Sequence, residues 1–111
     1  MKKWKCEVCG FIHDGDSAPD ACPKCSALKD HFTLLEEAAS KLIERSRQTN
    51  TLHARVMDLA RQVEAACNAG IQDELDPGCV EVFTKSRAMA WQMMKLSMTE
   101  IQGHMKKGKW G

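Results

Sequence analysis

Four cysteines hold the chemistry available to this chain. Cys6 and Cys9 stand two residues apart in Cys6-Glu-Val-Cys9-Gly10-Phe11, and Cys22-Pro-Lys-Cys25 repeats the spacing. One such pair alone fits a redox dithiol as well as a metal site. Two pairs, separated by residues 10–21, place four sulfurs at the corners of a tetrahedron when their turns face each other. That is the geometry of a closed site for zinc or a single iron.

The sulfurs need elements that aim them. Gly10 lets the backbone turn with positive φ just after Cys9, and Pro23 presets φ after Cys22. Such turns direct backbone N–H groups at the sulfurs, which stabilises thiolate charge and tunes the potential of a bound iron. His13-Asp-Gly-Asp-Ser17 reads as a turn between the two knuckles. Trp4, Phe11 and Phe32 form a small aromatic core beside the metal. A segment as short as residues 1–33 buries too little apolar surface to fold alone, so metal binding is coupled to folding.

The run Trp4-Lys-Cys6-x-x-Cys9-Gly10-Phe11, then Gly15, Ala18-Pro19, Cys22-Pro23-x-Cys25, Lys29 and Phe32, resembles a rubredoxin-type domain. More narrowly it resembles the short form found at one end of rubrerythrins. The likeness covers about residues 3–35. It implies that Cys6, Cys9, Cys22 and Cys25 ligate one iron cycling between ferrous and ferric. Ser26 stands where many rubredoxins have glycine, which alters one backbone N–H to sulfur bond and removes no ligand.

Bulk composition excludes several roles. The 111 residues carry 16 basic and 15 acidic side chains, with no electrostatic footprint for nucleic acid. No apolar run is long enough to span a membrane. Met-Lys-Lys-Trp-Lys-Cys lacks the apolar stretch of a secretory signal, so a cytoplasmic protein is expected. In that reducing compartment six cysteines read as metal ligands or free thiols, not disulfides.

The rest is helical. The expected organisation is a rubredoxin-like metal domain over 1–33, with short β structure like a zinc ribbon, then an antiparallel helical hairpin over 34–111. Thr33-Leu-Leu-Glu36 has the form of a capping box, starting a helix near 34. Leu35, Ala39, Leu42, Ser46, Thr49, His53, Val56, Ala60, Val63 and Cys67 recur at helical spacing, with Leu52 and Leu59 in a flanking row. Polar residues 47–51 predict a break or kink, and Gly70 a stop after 69. Asp76-Pro77 is an N-cap and first-turn proline for a second helix over about 77–107. Val80, Phe83, Ala90, Trp91, Met94, Met98, Ile101 and Met105 would face inward, and Trp110 would lie in a loose tail. One hairpin cannot bury both apolar faces. Two chains forming a four-helix bundle would, as would packing on the metal domain.

A rubrerythrin-type peroxidase needs Glu-x-x-His on its bundle helices. Glu36, Glu37, Glu44, Glu64, Glu74, Glu81 and Glu100 are followed three residues later by Ala, Ser, Arg, Cys, Pro, Thr and Gly. The expectation is therefore no enzyme and no catalytic residue. A hairpin centred near residue 73 sets His53 opposite about 93 and His104 opposite about 42, too far apart to share a metal. Each reads as a core histidine bonded to a polar layer, while His13 and His31 face solvent. Met89, Met93, Met94, Met98 and Met105 read as flexible core filling. Cys67 and Cys79 flank the loop as a redox pair or as two small buried residues.

The function expected is a one-electron carrier with a mononuclear Fe(Cys)4 centre, a redox partner protein on either side, and a helical region that makes a homodimer. The alternative is zinc in a rigid knuckle on a helical interaction module. Neither reading involves nucleic acid or membrane.

Overall fold

The computed structural model describes all residues 1–111. The chain divides into two compact units: residues 1–47 with 108–111, and residues 48–107.

In the first unit, β1 (Lys3–Cys6), β2 (Ile12–Asp14) and β3 (Phe32–Leu34) form an antiparallel sheet in the order β2-β1-β3. Trp4 pairs with His13 on one side and with Leu34 on the other. A single 3-10 turn, Lys29–His31, leads into β3. The core is Cys6, Ala18, Cys22 and Phe32, with Trp4 and Phe11 packed against it. Indole Nε1 of Trp4 donates to the Gly15 carbonyl at 3.0 Å. The aromatic core stands where the sequence places it, beside the cysteines.

The first helix, α1 (Glu37–Asp73), starts later than the capping box predicts. Thr33 pairs with Lys5 in the sheet, and that partner takes the residue from the helix. Its opening turns join the metal unit through charge. Lys3 is fully buried, its Nζ 3.6 Å from Asp14 and 3.4 Å from Glu44. Arg47 donates two hydrogen bonds to the Asp14 carboxylate, at 2.6 and 2.8 Å, and a third to the Gly111 carbonyl at 2.8 Å. Gly111 lies against Ile12 and Ile43, so the final residue is docked. Trp110 beside it is exposed.

The second unit pairs the rest of α1 with α2 (Pro77–Lys106). Asp76 caps α2, accepting from the Cys79 N–H at 2.7 Å, as predicted. Two expectations for α1 fail. It is helical without interruption across residues 47–51, because Asn50 is buried with a partner and does not break the backbone ladder. Gly70 does not end it. A Cβ there would sit 2.3 Å from the Phe83 ring, so glycine is required by close packing inside the helix.

The predicted inward rows are met in part. Ala60, Ala90 and Met94 are the buried apolar centre, with Met57 against them. Val63, Trp91, Met98 and Met105 are exposed, as are Met89 and Met93. Seam positions on α2 run Phe83, Ala90, Ser97 and His104, with Arg87, Met94 and Ile101 between. The other methionines fall off that stripe, and only Met94 fills the core.

Two outcomes follow. Asp14 is held below the usual carboxylate range by its hydrogen bonds from Arg47, which outweigh burial, with Lys3 adding charge. Its contribution to stability is therefore complete above the ordinary carboxyl value of about 3.9 and fades as pH falls through the lower folded value. Asp14→Asn should cost about 2 kcal/mol at neutral pH, between an exposed and a buried pair, with the deficit closing in acid. Urea unfolding at a series of pH values reads both. Gly70→Ala should destabilise the hairpin by about 1–3 kcal/mol through overpacking. Adding Phe83→Leu should recover part of it in thermal melts.

Candidate metal centre

The two knuckles are near copies. The Gly10 N–H donates to the Cys6 carbonyl at 2.8 Å, and the Ser26 N–H donates to the Cys22 carbonyl at 2.9 Å. The Cys6 N–H reaches Phe11 and the Cys22 N–H reaches Ala27, both at 2.8 Å. Gly10 sits at φ 83° and Ser26 at φ 67°. The same left-handed turn is thus made once by glycine and once by a residue that adopts it at a cost.

These turns bring Cys6, Cys9, Cys22 and Cys25 together with all four Sγ atoms within 4.8 Å of one another. The Cys6–Cys25 sulfurs are 3.7 Å apart and the Cys9–Cys22 sulfurs 3.6 Å. A tetrahedral ion with metal–sulfur bonds of about 2.3 Å needs sulfurs about 3.8 Å apart, so the cage fits. Zinc and iron both take this donor set.

Backbone amides surround the sulfurs in a matching pattern. The N–H groups of Val8 and Cys9 face Cys6, and those of Lys24 and Cys25 face Cys22. Cys9 receives Phe11, and Cys25 receives Ala27. Burial pushes the Cys22 thiol up, but its amides and the Cys9 sulfur outweigh burial and bring it down to about 7. The same opposition leaves Cys6 lowered. At Cys9 the Phe11 amide favours thiolate, yet burial and the three other sulfurs together push it up to about 12. At Cys25 the Ala27 amide and the Cys9 sulfur favour thiolate, yet burial and the sulfurs of Cys6 and Cys22 together raise it. The first cysteine of each knuckle is lowered and the second raised. Complete ionisation needs a cation in the centre.

The description "Rubrerythrin, rubredoxin-like domain" belongs to a family model that matches residues 4–33. Rubredoxin-1 of Alcanivorax borkumensis is 38% identical over 53 residues, covering 32% of this chain and 98% of that protein. The chain belongs to the rubredoxin-like family. Within that family, the rubredoxin-like domain here is similar to that of Nitratidesulfovibrio vulgaris rubrerythrin, 52% identical over 33 residues, 30% of this chain and 17% of the relative. Reverse rubrerythrin-1 of Clostridium acetobutylicum is 30% identical over 82 residues, 74% of this chain. The chain spans 40% of that relative's length. No solved structure matches it significantly.

The remaining candidates lie outside the rubredoxin-like domain. His53 and His104 are level, contrary to expectation: their ring centroids are 6.0 Å apart at 77°. α1 continues past Gly70 to Asp73, which moves the turn later and brings the rings together. Each is bonded to a polar neighbour, His53 Nδ1 to Ser97 at 3.1 Å and His104 Nδ1 to Asn50, as the core reading predicts. His104 Nε2 is 3.7 Å from Glu100. Cys67 and Cys79 are free. Asn68 bonds Arg87 and Gly70 touches Phe83, so Cys67 is level with residues near 86 and offset from Cys79 by roughly two turns. They do not form a pair. Sequence reasoning missed Lys3, Asp14 and Arg47, whose network braces the strand before Cys6; charged residues carry no periodic signal at such short range.

Ser26→Gly should stabilise the metal-loaded domain by about 1 kcal/mol, by relieving the left-handed backbone. Thermal melting of the loaded protein checks it, with Gly10→Ala expected to move the other way.

Proposed function

We propose that this chain is a one-electron carrier, with iron in the cage of Cys6, Cys9, Cys22 and Cys25 supplying the ferrous–ferric couple. The observation that carries the reading is the cage itself: four thiol ligands on two rigid, amide-lined turns. The sheet and the turn hydrogen bonds hold the sulfurs in one arrangement for either valence, so little reorganisation accompanies transfer. The amides facing each sulfur stabilise thiolate charge and set the potential.

Access favours the same reading. Cys6 and Cys22 are buried while Cys9 is exposed. One ligand residue therefore lies at the surface, and an electron has a short route to a docked protein. Val8, inside the first knuckle, and Leu28, three residues after the second, are 61% and 65% exposed and give an apolar rim for that contact. A reductase would dock there to give the electron and an acceptor to take it. The carrier needs no nucleophile and no acid–base pair, and acts without catalysing a reaction of its own.

Protein purified from its native cells should hold about one iron per chain and be red in air. It should bleach on uptake of one electron per chain. Colourless, zinc-loaded protein that accepts no electron would refute the carrier and leave a rigid structural knuckle.

A further inference from the structure

The hairpin of the second unit has the wrong residues outside. Its seam is small or polar at Asn50, His53, Ala60, Ala90, Ser97 and His104. Large apolar side chains stand in solvent instead. One residue before His53, Ala60 and Cys67 on α1 come Leu52, Leu59 and Ala66; one before Phe83, Ala90 and Ser97 on α2 come Val82, Met89 and Leu96. Each such step turns about 100° from the seam in the same sense along its own helix. Antiparallel helices viewed end-on wind in opposite senses, so both rows lie on the same side of the hairpin. Val63 and Met93 extend them.

This makes one continuous face. Val82, Met89 and Leu96 are 61%, 66% and 67% exposed, and Leu52, Leu59, Val63 and Met93 about half. Together they present on the order of 700 Å² of apolar surface, close to the roughly 800 Å² that each partner of a stable pair buries. Isolated folded chains rarely show a patch of that size. No charged side chain interrupts the rows: positions 52, 56, 59, 63 and 66 are Leu, Val, Leu, Val and Ala, and 82, 86, 89, 93 and 96 are Val, Ser, Met, Met and Leu.

We infer that a second copy of this chain covers this face, two hairpins closing into a four-helix bundle. A hairpin is the right width to cover a hairpin. A face without charge also carries nothing that repels its own image across a two-fold axis, which is what an isologous contact requires.

The test uses the full metal-loaded chain in sedimentation and light scattering. Wild type should give twice the 12.4 kDa chain mass. Met89→Lys with Leu96→Lys should give single chains with the same helical circular dichroism, since both side chains are exposed and lie off the seam. Trp91→Lys with Met98→Lys, on the other side of α2, should leave the pair intact. A monomeric wild type, including one that a different protein captures, overturns the inference. So does a dimer that survives the first pair of substitutions or dissolves on the second. None of these readings depends on which metal fills the cage.

Discussion

Four sulfurs within 4.8 Å of one another repel as they ionise, and a cation among them removes the repulsion. The front of the chain is built to meet that one constraint. Its sheet has three short strands, and its buried core is two cysteines, an alanine and a phenylalanine. So little apolar surface cannot offset the entropy of ordering a domain. Fixing the sulfurs by an ion does what a larger core would do elsewhere. The amides that line the cage serve both ends, since they ease ionisation and hold the turns in shape.

Where hydrophobic packing is scarce, charge takes over as the brace. Lys3 lies between Asp14 and Glu44, and Arg47 clamps Asp14 from the helix. These contacts join β1, β2 and the first turns of α1 across a span where apolar contacts are few. The second unit has a polar layer beside its small apolar centre of Ala60, Ala90 and Met94. Its polar layer, His53 with Ser97 and His104 with Asn50, lies inside. Buried polar layers of this kind fix register between helices at some expense of stability.

The metal site was legible because thiol ligands demand a local pattern. Cys-x-x-Cys with Gly10 and Pro23 encodes its own turns, and Trp4, Phe11 and Phe32 are too few to have another place. The Asp76-Pro77 cap was legible for the same reason. Features set by distant partners were not. Thr33 carries a helix-start signal and pairs in a sheet instead. Gly70 carries a helix-stop signal and is there for the Phe83 ring. Along α1 the predicted row holds the observed seam positions His53, Ala60 and Cys67 but also Leu42 and Val63, which are exposed, because a helix with apolar residues on two sides does not say which meets its neighbour first. Level histidines followed from where the turn fell, a matter of three residues at the end of α1.

The sealed amine of Lys3 makes the molecule report on itself. Its neighbours Lys2 and Lys5 stand in solvent, while Lys3 has no accessible surface at all. An acylating reagent in water would label the first two and spare the third for as long as β1 stays in place. The extent of labelling at this single nitrogen therefore counts the molecules whose sheet has opened, without touching a sulfur or observing the ion.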